Sequence, residues 1–258
     1  MKLDLHQRAG LVIAHPGHEL RVYGWLEAAH PIVCILTDGS GSSGVSRLPR
    51  TKNNITQVGA MPGAIFGRFT DAAIYEAILE SNTDLFCRLV DELSVELNQN
   101  DIDYVVGDAS EGYNPVHDLC RLIINAAVRA CWLRSNRAIA NFDFPLIGRP
   151  DAGDPSRLDQ AIQIDLGETQ FHRKMTVAKG YSELRNEIEA ATEEDGVSIF
   201  RKEYLRPVCQ QRHEYVFAEP PFYERYGERQ VAAGVYQQVL RHYEHMLPIA
   251  DALRRHVT

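Results

Sequence analysis

Several features that would place this chain in a special class of proteins are missing from its sequence. None of its five cysteines forms a C-x-x-C pair with another. An odd number of cysteines without that spacing favours free thiols in a reducing compartment over a disulfide framework. We therefore expect a cytoplasmic protein. The cysteines, all in apolar stretches, are Cys34, Cys87, Cys120, Cys131 and Cys209.

Long hydrophobic runs are missing as well. The first residues show no apolar segment followed by a small-residue cleavage site, so they predict no signal peptide. Apolar runs such as 9–14 are far shorter than the ~20 residues that a membrane-spanning helix needs. We expect a protein without a membrane partner.

Basic residues are fewer than acidic residues in this chain. The chain has 27 Lys and Arg against 35 Asp and Glu, a net charge of −8, which argues against nucleic acid as a partner. The 45% hydrophobic and 24% charged residues are typical of globular proteins and exclude disordered and fibrous classes. We interpret residues 1–258 as a single domain, with a core over 9–180 and a C-terminal elaboration over 181–258.

The hydrophobic periodicity predicts strands alternating with helices, which is typical of an α/β fold with a parallel sheet. Strands are expected over 10–14, 31–36, 102–106, 138–147 and 160–166. Helices are expected over 19–29, 71–98 with a break near Ser81, 116–134, 168–179, 183–196 and 231–255.

Two segments lack a clear pattern. Residues 40–70 are rich in Gly and Ser, and we interpret them as a long loop that overhangs a site. The aromatic and charged segment 220–228 has three interpretations: a lid, a contact in a possible homo-oligomer, or an ordinary packed loop.

Polar clusters follow three of the predicted strands, at 15–19, 37–39 and 108–117. In open parallel sheets, ligands bind outside the carboxyl ends of the strands. His15 and His18 are three residues apart, and a third histidine from a neighbouring loop would complete the three-ligand set of a catalytic zinc site. The alternative is that the two histidines cap the helix or bond backbone groups.

The same clusters resemble the signatures of the PIG-L/LmbE-like zinc-dependent N-deacetylase family. Residues 14–19 read A-H-P-G-H-E, residues 36–39 read L-T-D-G, and residues 114–117 read N-P-V-H. The usual family forms of the first and last are A-H-P-D-D-E and H-P-D-H. The resemblance extends over about residues 9–135. It implies a Rossmann-like three-layer fold with a mainly parallel sheet and a C-terminal helical elaboration.

The resemblance also implies a ligand set for Zn²⁺, with another divalent metal as an alternative. His15 matches the first family ligand and His117 the last, while His18 stands where the family has an aspartate ligand. Exchanging that aspartate for histidine removes a negative charge beside the metal. Metal-bound water should then lose its proton more readily, with a pKa moving toward ~7.

The departures from the family pattern affect the residues that move protons. Gly17 stands where the family has its general-base aspartate, Asn114 replaces a histidine, and Val116 replaces an aspartate. Asparagine can donate a hydrogen bond to an oxyanion but cannot act as an acid. The metal ligands therefore persist while two proton-handling positions are lost.

Several carboxylates are candidates for the missing catalytic roles. Glu19 could act as a base or be a first-turn helix carboxylate favoured by the helix dipole. Glu111 could swing toward the metal or be a solvated loop charge. Asp38 could orient a ligand histidine or cap the following turn, and Asp108 is similarly placed.

Arg68 and Asp71 resemble an Arg-x-x-Glu element of the family, so they could line the substrate pocket or form a surface ion pair. The combined expectation is a metal-dependent amidohydrolase that attacks an N-acylated amino sugar or glycoside with metal-bound hydroxide. Two alternatives stay open: a relative that binds metal or sugar without hydrolysis, and one that uses the metal for different chemistry.

Overall fold

The computed structural model describes residues 7–152, 155–208, 217 and 219–258. Four of the cysteines lie in these ranges and are free thiols, as predicted, whereas Cys209 lies outside the described residues. No helix within the described ranges combines the length and the apolar character required to span a bilayer.

One sheet of seven strands runs through the described part of the chain. Its strands are β1 (Ala9–Ile13), β2 (Ile32–Thr37), β3 (Met61–Phe69), β4 (Tyr104–Asp108), β5 (Ala140–Phe144), β6 (Ile162–Asp165) and β7 (Lys202–Pro207). Their order in the sheet is β3-β2-β1-β4-β5-β7-β6. The first five strands are mutually parallel, and β7 is antiparallel to both β5 and β6.

Helices cover both faces of the sheet. They are α1 (Tyr23–Ala29), α2 (Leu48–Gln57), α3 (Asp71–Leu79), α4 (Thr83–Gln99), α5 (Pro115–Ser135), α6 (Pro155–Leu158), α7 (Glu168–Gly180), α8 (Arg185–Asp195), α9 (Phe222–Ala232) and α10 (Leu247–His256). Side chains of α3, α4, α5 and α10 build the core on one face, and those of α1 and α2 build it on the other. The predicted α/β class and three-layer arrangement are confirmed.

Strands β1 and β4 are buried at every residue, as expected for parallel strands covered by helices on both sides. Their continuous apolar runs therefore made them visible in the sequence. The predicted break in the helix over 71–98 is also confirmed. Ser81, with a φ of 53°, separates α3 from α4.

The prediction of one long loop over 40–70 is wrong, because this segment contains α2 and the edge strand β3. Strand β3 is largely exposed and carries Gly63 and Gly67, so the alternation of apolar residues that identifies a strand is missing. Helix α2 buries only Thr51, Asn54 and Ile55, two of which are polar. Because most of the residues that α2 buries are polar, hydrophobic periodicity does not identify this helix.

The C-terminal region also differs from expectation. The predicted helix over 231–255 is wrong: α9 ends at Ala232, Gly234 takes a φ of 71°, and one π-helical turn (His242–Met246) leads into α10. Strand β7 was not predicted, because charged residues interrupt its sequence. Two of these, Glu203 and Arg206, are buried with partners of opposite charge.

Candidate active site

The carboxyl ends of three neighbouring strands form the base of the candidate site. In the sheet β1 lies between β2 and β4, so the residues that follow these strands are brought to one edge. His15 and His18 follow β1, and Asp108 ends β4. His117 enters from the first turn of α5, which Asn114 caps. The structure therefore assembles the edge that the sequence predicts.

The rings of the three predicted metal ligands lie in contact with one another. The ring centre of His15 is 5.2 Å from that of His18 and 5.1 Å from that of His117. The ring centres of His18 and His117 are 4.6 Å apart. His15 and His117 are buried, with exposed fractions of 6% and 8%.

An aspartate holds the first ring in place. Asp71 Oδ1 lies 2.9 Å from His15 Nδ1, and the Thr37 hydroxyl lies 2.7 Å from the same nitrogen. Asp71 also accepts hydrogen bonds from Thr37 at 2.5 Å and from the Gly41 N–H at 2.6 Å. Burial alone would raise the pKa of Asp71, but these hydrogen bonds and the adjacent His15 hold it below its usual range. The carboxylate therefore stays ionised beside the ring.

A second aspartate holds His18. Asp108 Oδ2 lies 2.8 Å from His18 Nδ1 and accepts a hydrogen bond from the Ala14 N–H at 2.7 Å. The other carboxylate oxygen, Oδ1, is buried without a hydrogen-bond partner in the structure. A carboxylate on one ring nitrogen fixes the tautomer of a histidine and leaves the other nitrogen for a ligand, as in metal sites.

The surroundings of His15 and His117 lower the pKa values of these two imidazoles. Burial lowers the pKa of His15. The hydrogen bond to Asp71 opposes this effect, and the nearby His18 adds to the lowering. Burial also lowers the pKa of His117, reinforced by His18, His15 and the guanidinium of Arg47. Metal ions bind the neutral form of imidazole, so the protonation state suits a metal ligand.

The donor chemistry fits zinc, which binds histidine nitrogen in tetrahedral sites. With Zn–N distances of about 2.1 Å, such a site places histidine ring centres about 5 Å apart, which is the spacing seen here. As they stand, however, no three His, Cys, Asp or Glu side chains of the described residues form a group that could hold a metal ion. A metal site at this cluster requires the side chains to reorient about the same centre.

Asn114 lies beside His117 as the N-cap of α5. Its Oδ1 accepts hydrogen bonds from the Val116 N–H at 2.8 Å and from the Tyr75 hydroxyl at 3.3 Å. Both bonds use the carbonyl oxygen, and the described residues supply no acceptor for the amide N–H groups. The side chain can therefore donate to a ligand while it caps the helix.

Glu19 is fully buried and stabilises the turn that follows His15. One carboxylate oxygen accepts the Gly17 N–H at 2.7 Å, and the other accepts the hydroxyl of Tyr181. That hydroxyl also lies 2.7 Å from the hydroxyl of Thr51. Both oxygens of Glu19 are thus bonded outside the histidine cluster.

The structure gives a reason for glycine at position 17. Gly17 has a φ of 108°, a conformation that favours glycine. A Cβ at this position would lie 2.4 Å from Leu184 Cδ1 and 3.8 Å from Arg47 Nη1. Leu184 therefore occupies the space beside position 17 into which an aspartate side chain would extend.

Glu111 and Asp38 bond backbone groups. Glu111 Oε2 accepts the N–H groups of Leu146 and Ile147 at 3.0 and 3.2 Å, joining the loops after β4 and β5. Burial raises the pKa of Glu111 to about 7. Asp38 Oδ1 accepts the Ser40 N–H at 2.9 Å and so caps the following turn. In the described residues neither carboxylate hydrogen-bonds a histidine of the cluster.

Sequence reasoning missed Arg47 at this edge and did not identify the partner of Asp71. Asp71 was grouped with Arg68, but Arg68 pairs with Glu92 at the surface while Asp71 supports His15. Arg47 donates from Nε to the Gly39 carbonyl at 2.7 Å and reaches the turn at Gly17. The signals for Asp71 in the sequence are its spacing from Arg68 and the N-cap Thr70 that starts its helix, and neither indicates a contact with His15.

Comparison with known proteins gives agreement in fold alone. No protein-family model and no curated protein matches the chain by sequence. A deacetylase from the biosynthetic pathway of teicoplanin is similar over 81% of this chain and 100% of its own, with a TM-score of 0.59 and 15% identity. The A40926 pseudoaglycone deacetylase matches over 81% and 100%, with a TM-score of 0.54 and 17% identity.

A third similar structure is the zinc-inhibited form of a teicoplanin deacetylase. It matches 80% of this chain and 100% of its own, with a TM-score of 0.53 and 13% identity. The chain therefore has the fold of these deacetylases. At such identities a shared fold does not by itself carry a function.

Proposed function

We propose that this chain is a zinc-dependent amidohydrolase of the N-deacetylase type, acting on an N-acylated amino sugar or glycoside. One observation carries the proposal: three imidazoles, of which those of His15 and His117 are buried and those of His15 and His18 are held by aspartates, converge at the carboxyl edge of a fold that deacetylases share. In this proposal His15, His18 and His117 are the metal ligands, and another divalent metal is the alternative.

The chain's own residues would prepare and position the reactants. When bound, a zinc ion supplies a Lewis acid for the amide carbonyl and lowers the pKa of water. Asp71 and Asp108 hold the Nδ1 atoms of His15 and His18, so the opposite ring nitrogens are the ones presented to a metal. Asn114 would donate an amide N–H to the carbonyl oxygen as negative charge develops there.

Proton transfer is assigned to Glu111 rather than to Glu19. A pKa of about 7 means that Glu111 exists in both protonation states at neutral pH, as a group that accepts and returns a proton requires. It must first release the N–H groups of Leu146 and Ile147. Glu19 has both oxygens engaged and is assigned to holding the Gly17 turn.

The test combines metal content with turnover. We expect one zinc per chain by elemental analysis and hydrolysis of at least one member of a panel of N-acetylated amino sugars. His18→Ala should lose both the metal and the activity. His172→Ala, which removes an exposed histidine of α7, is the matched control and should keep both. Wild-type protein with less than one metal per chain, or an active His18→Ala variant, would contradict the proposal.

A relative that binds a sugar without hydrolysing it is the second candidate. The observation in its favour is that Leu184 fills the space beside position 17, where the family carries its base. Zinc-loaded protein that binds N-acetylated sugars without turnover would support this candidate. Activity gained in the double variant Gly17→Asp with Leu184→Ala would support it further, whereas turnover by wild-type protein would remove it.

A further inference from the structure

A row of aromatic rings follows the loop before α5 and continues over α9. The planes of Tyr113 and Phe222 are stacked, with ring centres 4.6 Å apart and an angle of 3°. Phe222 stacks on Tyr226 at 5.9 Å and 25°, and Tyr226 meets the edge of Tyr236 at 6.3 Å. We call these four side chains, Tyr113, Phe222, Tyr226 and Tyr236, the aromatic shelf.

The aromatic shelf is open to solvent. Tyr113, Tyr226 and Tyr236 are 43%, 39% and 43% exposed. The guanidinium carbon of Arg229 lies 5.7 Å from the ring centre of Phe222 and 5.9 Å from that of Tyr226. Adjoining exposed aromatic side chains are unusual on a protein surface without a binding role.

The aromatic shelf is continuous with the candidate active site. Tyr113 immediately precedes Asn114, the cap of the helix that carries His117. Tyr75 donates a hydrogen bond to Asn114 Oδ1. Burial is the largest cause of the raised pKa of Tyr75, and the nearby Tyr236 and Tyr226 add to it. The aromatic shelf therefore adjoins Asn114 and Tyr75 at the start of the helix that carries His117.

We propose that the aromatic shelf is a substrate subsite that binds a planar aromatic group carried by the sugar as its aglycone. This inference rests on the proposed function for the identity of the sugar. Nearly parallel, offset rings extend readily to one more ring, since aromatic pairs gain energy beyond the area that they bury. A planar aglycone on the shelf would place the attached sugar toward Asn114 and the histidines.

Binding can be tested without hydrolysis. We choose 4-nitrophenyl β-D-glucopyranoside and methyl β-D-glucopyranoside, because neither carries an N-acyl group. Titration calorimetry should show at least 10-fold tighter binding of the aryl glycoside. Tyr226→Leu should weaken aryl binding by about 3- to 10-fold and leave methyl glycoside binding unchanged. Tyr236→Leu provides a second variant with the same expectation, should Tyr226→Leu fail to fold.

The matched control is Tyr243→Leu, which removes a 63% exposed tyrosine outside the aromatic shelf and should leave aryl binding unchanged. Equal affinity for the two glycosides would overturn the inference. So would tighter binding of octyl β-D-glucopyranoside than of the aryl glycoside, or a dimer in sedimentation experiments that Tyr226→Leu dissociates without affecting aryl binding.

Failure of the proposed function gives a different result. If the protein binds the aryl glycoside more tightly than the methyl glycoside but hydrolyses no N-acetylated sugar, the proposed hydrolase function is wrong and the proposed subsite stands. If the protein hydrolyses an N-acetylated sugar but binds the two glycosides equally well, the proposed subsite is wrong and the hydrolase function stands.

Discussion

Two buried polar clusters of this molecule differ in how completely their atoms are paired. In the first, Lys174 Nζ lies 2.8 Å from Glu203 Oε1 and 3.1 Å from the Arg21 carbonyl. The two oxygens of Glu203 also accept the N–H groups of Gly24 and Trp25, each at 2.8 Å. This cluster joins α7 and β7 to the start of α1 with every carboxylate oxygen engaged.

The histidine cluster is incomplete by the same measure. Among the described residues, Asp108 Oδ1 is buried without a hydrogen-bond partner. Buried polar groups are nearly always paired, so the exceptions require an explanation. The difference teaches that the fold pairs the Lys174–Glu203 cluster completely, whereas it leaves a buried carboxylate oxygen of the histidine cluster unpaired within the described residues.

Breaking the paired cluster should have the largest effect on stability. Lys174→Met leaves the Glu203 carboxylate buried without its cation and should lower the free energy of unfolding by about 3–5 kcal/mol. Urea denaturation measures this change. Arg68→Met, which removes one side of an exposed ion pair with Glu92, is the control and should cost less than about 1 kcal/mol. Equal losses in the two variants would refute the distinction.

Removing the support of a histidine should affect metal binding instead. Asp108→Asn leaves His18 without a charged partner and should weaken zinc binding by about 10- to 100-fold. Competition with a chelating dye measures the affinity. Asp38→Asn alters a carboxylate that only caps a turn and should leave the affinity unchanged. An unchanged affinity in Asp108→Asn would show that Asp108 does not support a metal ligand.

The raised pKa of Glu111 predicts that the free energy of unfolding depends on pH. Its pKa rises from 4.5 to about 7 on folding, so the folded state holds this proton more tightly than the unfolded state. The stabilisation by the bound proton is complete below pH 4.5 and is lost as the pH rises through 7. Relative to Glu111→Gln, the wild-type protein should lose about 1–3 kcal/mol of stability over this interval. Denaturation curves that keep a constant difference between pH 4.5 and 8 would contradict this assignment.

The smallest expected effect on stability comes from substitutions of Asn114, which distinguish its role as helix cap from its role as hydrogen-bond donor to the substrate. Asn114→Ala removes the N-cap of α5 and should cost about 1 kcal/mol. Asn114→Asp keeps a capping oxygen but loses the amide donor, so its stability should stay near that of wild type while kcat falls. Thermal unfolding and initial rates distinguish the outcomes. Full activity in Asn114→Asp would exclude the amide as a donor to the substrate.

Much of the fold could be predicted from local patterns. Strands β1, β2 and β4 and helix α5 bury long apolar stretches, and such stretches are visible in sequence. Helix α2 and strand β3 could not be found in this way, because one buries polar residues and the other lies exposed at the edge of the sheet. The terminal helix was extended too far, since its pattern continues through a turn at Gly234 that only packing reveals.

The candidate site, like the fold, could be predicted from the sequence only in part. Its three histidines were found because each lies directly after a strand or at a helix start, where parallel topology fixes the edge that it joins. The pairing of Asp71 with His15 could not be found, because it depends on the fold bringing the first residue of α3, which follows the edge strand β3, to the turn after β1. Leu184 over Gly17 and Lys174 beside Glu203 are likewise contacts between segments far apart in the chain.

The sequence by itself determined the alternating α/β pattern and the ends of strands and helices at which the three histidines lie, because these depend on neighbours along the chain. Only the tertiary structure decided which carboxylates support the rings and which hold backbone turns. Those assignments depend on distances between side chains that the chain brings together from remote positions. A hydrogen bond forms only within about 3 Å, so the fold, rather than the spacing in sequence, selects its partners.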